Sequence, residues 1–130
     1  MTLVIDASVA VAALVDSGPD GRWAESLLTT DLAAPHLLAA EVTNVLRRAV
    51  TTHQITDVIA SLAYADFAQL RLQLVDYSVV AGRVWELRHN LSAYDAWYVA
   101  AAELLDAPLA TLDRRLVNAP GPTCQFLTPD

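Results

Sequence analysis

Short runs of apolar residues alternate along this chain with longer stretches in which apolar residues recur every three or four positions. The short runs have the length and composition of buried strands, and the longer stretches have the spacing of amphipathic helices. The apolar runs predict strands at residues 3–5, 32–34, 72–75, 109–112 and 124–127. The periodic stretches predict helices at residues 8–15, 19–28, 36–52, 56–70, 78–89, 94–105 and 114–117.

The alternation of strands and helices predicts an α/β fold, with a parallel sheet that is covered by helices on both faces. In such sheets, sites form beyond the carboxyl ends of the strands. Asp6 follows the first predicted strand directly, and Asp113 follows the fourth. We therefore expect these two carboxylates to lie at the same edge of the sheet.

Two further acids lie on predicted helices. Glu41 shares a polar row with Asn44 and Arg48 in the third helix, and Asp95 lies at the start of the sixth. Carboxylates that are brought together repel one another unless a cation binds them. Mg²⁺ and Mn²⁺ are the usual cations at such sites because both prefer oxygen ligands. If the fold gathers the four acids, the first hypothesis is metal-assisted hydrolysis.

Each acid also has a simpler structural interpretation. Asp6 and Asp113 stand where a helix N-cap is expected, and Ser92 and Asp95 have the spacing of a capping box. Glu41 could belong to a solvated helix surface. These roles leave a second hypothesis open: a non-catalytic α/β module whose acids cap helices and whose apolar surface binds a protein. Two caps at one sheet edge would still place two carboxylates near each other.

Composition narrows the classes of protein to consider. The chain has 130 residues, of which 55% are hydrophobic, so it can bury a core and still leave apolar surface for a partner. Its net charge of −7 argues against a protein that coats nucleic acid, although it does not exclude a metal-dependent nuclease. All eight basic residues are arginine. The lack of lysine excludes receiver domains and haloacid-dehalogenase-like phosphatases, which need one facing their acids.

The sequence also suggests where the protein resides. The apolar run from Leu3 to Val15 lacks a preceding basic segment and is interrupted by Asp6, so it does not resemble a signal peptide. No stretch reaches the length of about 18 apolar residues that a membrane span needs. The single cysteine, Cys124, cannot form an internal disulfide. We expect a soluble, cytoplasmic protein.

Four short motifs carry a resemblance to a known family. They are D-A-S at 6–8, E-V-T-N-V-L at 41–46, Y-D-A at 94–96 and T-L-D-R-R-L at 111–116. In this order and at these intervals the chain resembles PIN-domain ribonucleases, and its length suggests the VapC-type toxins of bacterial toxin–antitoxin pairs. The resemblance implies a single PIN-like domain over residues 1–130. It also implies a three-layer α/β/α sandwich with a twisted, mainly parallel sheet of about five strands.

The resemblance further implies a role for individual residues. One or two Mg²⁺ or Mn²⁺ ions would be bound by the four acids, Asp6, Glu41, Asp95 and Asp113. Three polar side chains would orient those carboxylates or bound water: Ser8, Asn44 and Thr111. Four arginines could hold RNA phosphates: Arg47, Arg48, Arg114 and Arg115. Some family members carry another acid just after the last aspartate, where this chain has arginines, so a second ion would be absent or dependent on bound RNA.

The activity implied by the resemblance is metal-assisted phosphodiester hydrolysis of cellular RNA, such as tRNA or rRNA. Family members are inhibited by a small antitoxin. An amphipathic segment of the antitoxin packs in a groove between the early helices and can direct a basic residue toward the acids. Homodimerisation is also expected, and the apolar excess of this chain agrees with both kinds of partner.

Overall fold

The computed structural model describes all 130 residues, which form five strands and seven helices. The strands are β1 (Thr2–Ile5), β2 (Asp31–Pro35), β3 (Leu72–Val75), β4 (Leu109–Ala110) and β5 (Phe126–Leu127). The helices are α1 (Ala7–Val15), α2 (Pro19–Leu27), α3 (Leu37–Thr51), α4 (Asp57–Ala68), α5 (Tyr77–Glu86), α6 (Ala93–Leu104) and α7 (Arg114–Val117). Every element predicted from the hydrophobic pattern is present, in the predicted order.

The strands form one sheet in the order β3-β2-β1-β4-β5, and every pairing is parallel. The predicted α/β class with a mainly parallel, five-stranded sheet is therefore confirmed. The central strand β1 contributes Leu3, Val4 and Ile5, all fully buried. A strand whose successive side chains are all apolar suits this position, because both faces of the sheet are covered.

Helices cover the two faces in two groups. Helix α1 packs against α2, α3 and α4, whereas α5 packs against α6, which crosses β1, β2 and β4. The chain passes from β1 to β2 and on to β3 in one direction, and then returns from β3 to β4 across the sheet. Right-handed crossovers in opposite directions put their helices on opposite faces. This gives the three-layer α/β/α arrangement, as the resemblance implied.

The chain leaves β1 and β4 at the same edge of the sheet, since the two strands are parallel and Ile5 pairs with Ala110. Strand β4 is only two residues long, shorter than the predicted 109–112, and Thr111 beyond it is fully buried. The residues that follow β1 and β4 are thereby brought side by side. None of the helices combines the length and apolar character that a membrane crossing would require.

Candidate active site

Asp6 lies at the end of β1 and caps helix α1. Its carboxylate accepts hydrogen bonds from the hydroxyls of Ser8 and Thr111, both at 2.5 Å, and from the backbone N–H of Val9 at 3.1 Å. The residue is only 9% exposed. Burial raises the pKa of the Asp6 carboxyl, and the hydrogen bonds from Ser8 and Thr111 oppose that rise. The structure therefore holds a carboxylate in place at a cost in solvation.

The two hydroxyls that contact Asp6 are themselves fixed by the chain after β4. The Ser8 hydroxyl accepts a hydrogen bond from the N–H of Leu112 at 3.1 Å, and the Thr111 hydroxyl accepts one from the N–H of Asp113 at 3.0 Å. Because each hydroxyl carries a single proton, an accepted bond from the backbone leaves that proton directed at Asp6. The contact between β1 and β4 thus sets the orientation of the carboxylate.

Glu41 approaches the same place from α3. The phenol of Tyr98, on α6, donates a hydrogen bond of 2.6 Å to Oε1 of Glu41. Burial raises the pKa of the Glu41 carboxyl, the Tyr98 bond lowers it, and the charges of Asp95 and Asp6 raise it further. Burial also raises the pKa of the Tyr98 phenol, so it remains a proton donor. Side chains from opposite layers therefore meet at the sheet edge.

Asp95 and Asp113 form the other part of the cluster. The Ser92 hydroxyl caps α6 by accepting the N–H of Asp95 at 3.2 Å, while Asp113 caps α7 by accepting the N–H of Arg115 at 2.9 Å. The Arg115 guanidinium lies 3.9 Å from Oδ2 of Asp95 and 3.4 Å from Oδ2 of Asp113. Burial raises the pKa of the Asp95 carboxyl, Arg115 lowers it and Asp113 raises it.

The four acids predicted from the sequence thus share one edge of the sheet, and their charges act on one another. They do not converge fully, since no three acidic, histidine or cysteine side chains are close enough together to hold a metal ion. Carboxylates that lie near one another repel unless a cation lies between them. A metal ion would have to draw them closer.

The chemistry of the side chains nevertheless fits a hard divalent cation. The donors around the site are carboxylate and hydroxyl oxygens, which suit Mg²⁺ and Mn²⁺. Asp6 and Glu41 make no salt bridge, and burial raises the pKa of both carboxyls. A divalent ion would supply the positive charge that the folded chain does not place beside them.

The other predicted site residues differ in the contacts that they make. The amide oxygen of Asn44 accepts hydrogen bonds from the Arg47 guanidinium at 3.2 and 3.0 Å, and both residues are exposed on α3 with Arg48. Arg114 donates to the carbonyl of Pro129 at 3.2 Å. Of the four arginines, Arg115 is the one paired with two of the acids. Asn44 makes its side-chain contacts with an arginine and not with a carboxylate.

The sequence reasoning did not identify Tyr98. A signal was available, because Tyr98 follows Asp95 by three residues and such residues are neighbours on one helix face. The contact itself joins residues 57 positions apart in the sequence, across α3 and α6. Helical spacing could predict that Tyr98 is a neighbour of Asp95, but only the tertiary structure shows that its hydrogen-bond partner is Glu41.

Known proteins share both the sequence and the fold of this chain. The PIN domain family matches residues 3–122. Ribonuclease VapC1 of Mycobacterium tuberculosis is 40% identical over 131 residues, which cover 95% of this chain and 94% of that protein. Ribonuclease VapC9 of the same species is 38% identical over 124 residues, with 94% of each protein covered. A crystal structure of VapBC2 from Rickettsia felis, bound to a promoter DNA fragment, shares the fold with a TM-score of 0.71, 16% identity and complete coverage of both chains.

Proposed function

The chain belongs to the PIN-domain family, among its VapC-type ribonucleases, and we propose that it cleaves RNA at the cluster formed by Asp6, Glu41, Asp95 and Asp113, with Mg²⁺ or Mn²⁺ as cofactor. The observation that carries the proposal is the state of Asp6 and Glu41. Both are at least partly buried carboxylates with raised pKa values, and neither has a basic side chain against it. Partly buried acids with raised pKa values at the edge of a parallel sheet are typical of functional sites.

The contacts support a separate role for the supporting residues and for a bound ion. Ser8 and Thr111 hold the Asp6 carboxylate in a fixed orientation, and Tyr98 does the same for Glu41. A bound divalent ion would supply a lowered water pKa and stabilisation of the charge that develops on the phosphate. The residues around the carboxylates would act as supports, since such outer contacts orient ligands and tune their basicity.

Arginines are the groups proposed to hold the flanking phosphates of the RNA. Arg114 and Arg115 begin α7 beside Asp113, and both are exposed, so their guanidinium groups can reach a bound strand. Arg47 and Arg48 lie on the exposed side of α3. A planar guanidinium can form two parallel hydrogen bonds to a phosphate. Contacts of this kind let each arginine bind a phosphate firmly, in a chain that has only eight basic residues and a net charge of −7.

An antitoxin is the proposed protein partner, as in the VapBC2 complex. A groove of about 380 Å³ lies between α3 and α4. Large apolar side chains are exposed on these two helices: Val45, Val58, Ile59, Leu62 and Tyr64. An amphipathic segment could cover them, because exposed apolar surface of this kind favours a partner. A homodimer is proposed on the same ground, and light scattering after size exclusion would test it.

The alternative, a non-catalytic module whose acids cap helices, describes part of the local geometry. Asp6 and Asp113 do act as N-caps. Capping does not account for the whole cluster, because Glu41 lies within α3 and caps nothing, yet it is held by Tyr98 at the same edge. The two relatives that cover 95% and 94% of the chain are ribonucleases.

The experiment is to incubate the purified chain, freed of any antitoxin, with total cellular RNA and Mg²⁺ or Mn²⁺, and to map new ends by sequencing. We expect discrete cuts that disappear with EDTA and in Asp95→Asn. The matched control is Asp66→Asn, which removes the same charge from an exposed position on α4 and should cut normally. RNA that stays intact with the wild type, or cuts that persist in EDTA, would contradict the proposal.

A further inference from the structure

Arg115 is the one basic side chain that contacts the acidic cluster. Its Nη2 atom lies 3.4 Å from Oδ2 of Asp113 and 3.9 Å from Oδ2 of Asp95, so a single guanidinium bridges the two carboxylates. The acids are about one-third exposed, whereas the Arg115 side chain is 84% exposed. The guanidinium therefore covers the pair from the solvent side and can move away without disturbing the core.

The contact divides the cluster into two unlike halves. Asp6 and Glu41 are held by neutral donors, namely hydroxyl groups, a phenol and a backbone N–H. Asp95 and Asp113 share the permanent positive charge of Arg115, since a guanidinium does not lose its proton in proteins. A cation that enters the free protein meets unbalanced negative charge in the first half and an existing cation in the second.

We propose that Arg115 is a resident counter-ion that limits the free chain to one divalent ion, bound on the Asp6–Glu41 side. This inference rests on the proposed function, because it presumes that the acids bind metal. A second divalent ion between Asp95 and Asp113 would lie a few ångströms from the guanidinium charge and would be repelled by it. Arg115 acts as a positioning residue, because its movable guanidinium holds the Asp95 and Asp113 carboxylates near each other.

The test is a titration of the full-length, RNA-free chain with Mn²⁺, in which free Mn²⁺ is followed by electron paramagnetic resonance. We expect the wild type to bind one ion, and Arg115→Gln to bind a second or to bind Mn²⁺ roughly tenfold more tightly, as expected from removing one nearby charge. Arg115→Lys keeps the charge and should bind one ion, as the wild type does. Circular dichroism would establish that each variant is folded.

The matched control is Arg114→Gln, which makes the same change in net charge one residue away. Arg114 contacts the Pro129 carbonyl and none of the four acids, so this variant should bind Mn²⁺ as the wild type does. Two ions on the wild type, or identical binding by Arg115→Gln and Arg114→Gln, would overturn the inference while leaving the proposed metal site intact. A wild type that binds no Mn²⁺ would instead contradict the proposed function on which the inference rests.

Discussion

At the scale of single residues, Asp6 shows how a site can work against the stability of the fold. Its carboxylate is nearly buried, and three hydrogen bonds only partly offset the loss of solvation, so its pKa is raised. Burial is also the main reason why the pKa values of the Glu41 and Asp95 carboxyls are raised. A chain selected for stability alone would not keep three carboxylates with raised pKa values together.

Asp6→Asn is expected to stop RNA cleavage and to make the metal-free protein more stable at pH 7. The amide oxygen can still cap α1 and accept the Ser8 hydroxyl, but the amide NH₂ cannot accept the bond from Thr111. The raised pKa of Asp6 indicates that removing the buried charge outweighs this loss. A gain of about 1 kcal/mol is typical when a functional conflict is relieved, and it corresponds to roughly 3–5 °C in melting temperature. Thermal unfolding in EDTA measures it. A variant that unfolds at lower temperature than the wild type would contradict the expectation.

The difference in stability between the wild type and Asp6→Asn should depend on pH. A carboxyl whose pKa is higher in the folded state contributes stability below its unfolded pKa, and this contribution is lost as pH rises through the folded value. The gap should therefore be small below pH 3.8, the ordinary value for Asp6, and should widen toward neutral pH. Melting curves of both proteins in EDTA across this range measure it, and a gap independent of pH would count against a strained carboxylate.

Thr111→Val tests the support of Asp6 with almost no change in side-chain shape. The change removes the donor to Asp6 at the fully buried Thr111, and it leaves the part-buried N–H of Asp113 without its acceptor. We expect a loss of about 1–3 kcal/mol in unfolding free energy and roughly 10–100-fold weaker Mn²⁺ binding. The control is Thr43→Val, whose exposed hydroxyl bonds only the Ala39 carbonyl. Equal effects of the two changes would refute this role of Thr111.

The residue scale also shows where sequence reasoning ends. Asp6 and Asp113 could be placed together from the strand-to-helix boundaries alone, because parallel strands end at one edge. Glu41 was assigned through the family resemblance, since a polar row on α3 does not show which way it points. Tyr98 was missed because its importance comes from a contact between two distant helices.

At the scale of secondary-structure elements, hydrophobic periodicity predicted the type and order of all twelve, since strands buried on both faces and amphipathic helices leave distinct patterns. The boundaries were less accurate. Strand β4 ends at Ala110 and β5 begins at Phe126, so both are shorter than predicted. Their length is set by pairing across the sheet, which local sequence does not encode.

Two glycines give opposite expectations for helix stability. A Cβ atom on Gly21, in α2, would lie 1.8 Å from the backbone oxygen of Asp16, whereas a Cβ on Gly82, in α5, would meet nothing within 4 Å. Gly21→Ala should destabilise the fold by about 1–3 kcal/mol or more, because the backbone after α1 must move. Gly82→Ala should stabilise it by about 1 kcal/mol through helix propensity. Urea unfolding measures both, and a harmless Gly21→Ala would disprove the close approach of α2 to α1.

At the scale of the whole molecule, the sheet order determines the site. Because β1 and β4 are neighbours in the order β3-β2-β1-β4-β5, Asp6 and Thr111 come into contact although 105 residues separate them. The alternation of elements predicted a parallel sheet but not this order. The order depends on the crossover from β3 to β4, which passes over two strands and brings α6, with Asp95 and Tyr98, to the same edge.

The net negative charge of the chain explains why a bound divalent ion would matter for the approach of RNA. With a net charge of −7, the protein repels RNA at long range, and the acids form part of that field. A divalent ion at the cluster would offset most of the local negative charge where a phosphate has to approach. The central claim is therefore that Asp6 and Glu41, the two acids of the cluster without a basic partner, bind a metal ion at this edge.

The most direct test of this claim is an anomalous difference map from crystals of the RNA-free protein soaked in Mn²⁺. The strongest peak should lie between the Asp6 and Glu41 carboxylates, at roughly 2.1 Å from the oxygens that bind it. Asp95 should remain paired with Arg115, as expected if only one ion binds. No peak at these acids under saturating Mn²⁺, or peaks only at other surface carboxylates such as Asp16 and Asp20, would contradict the account.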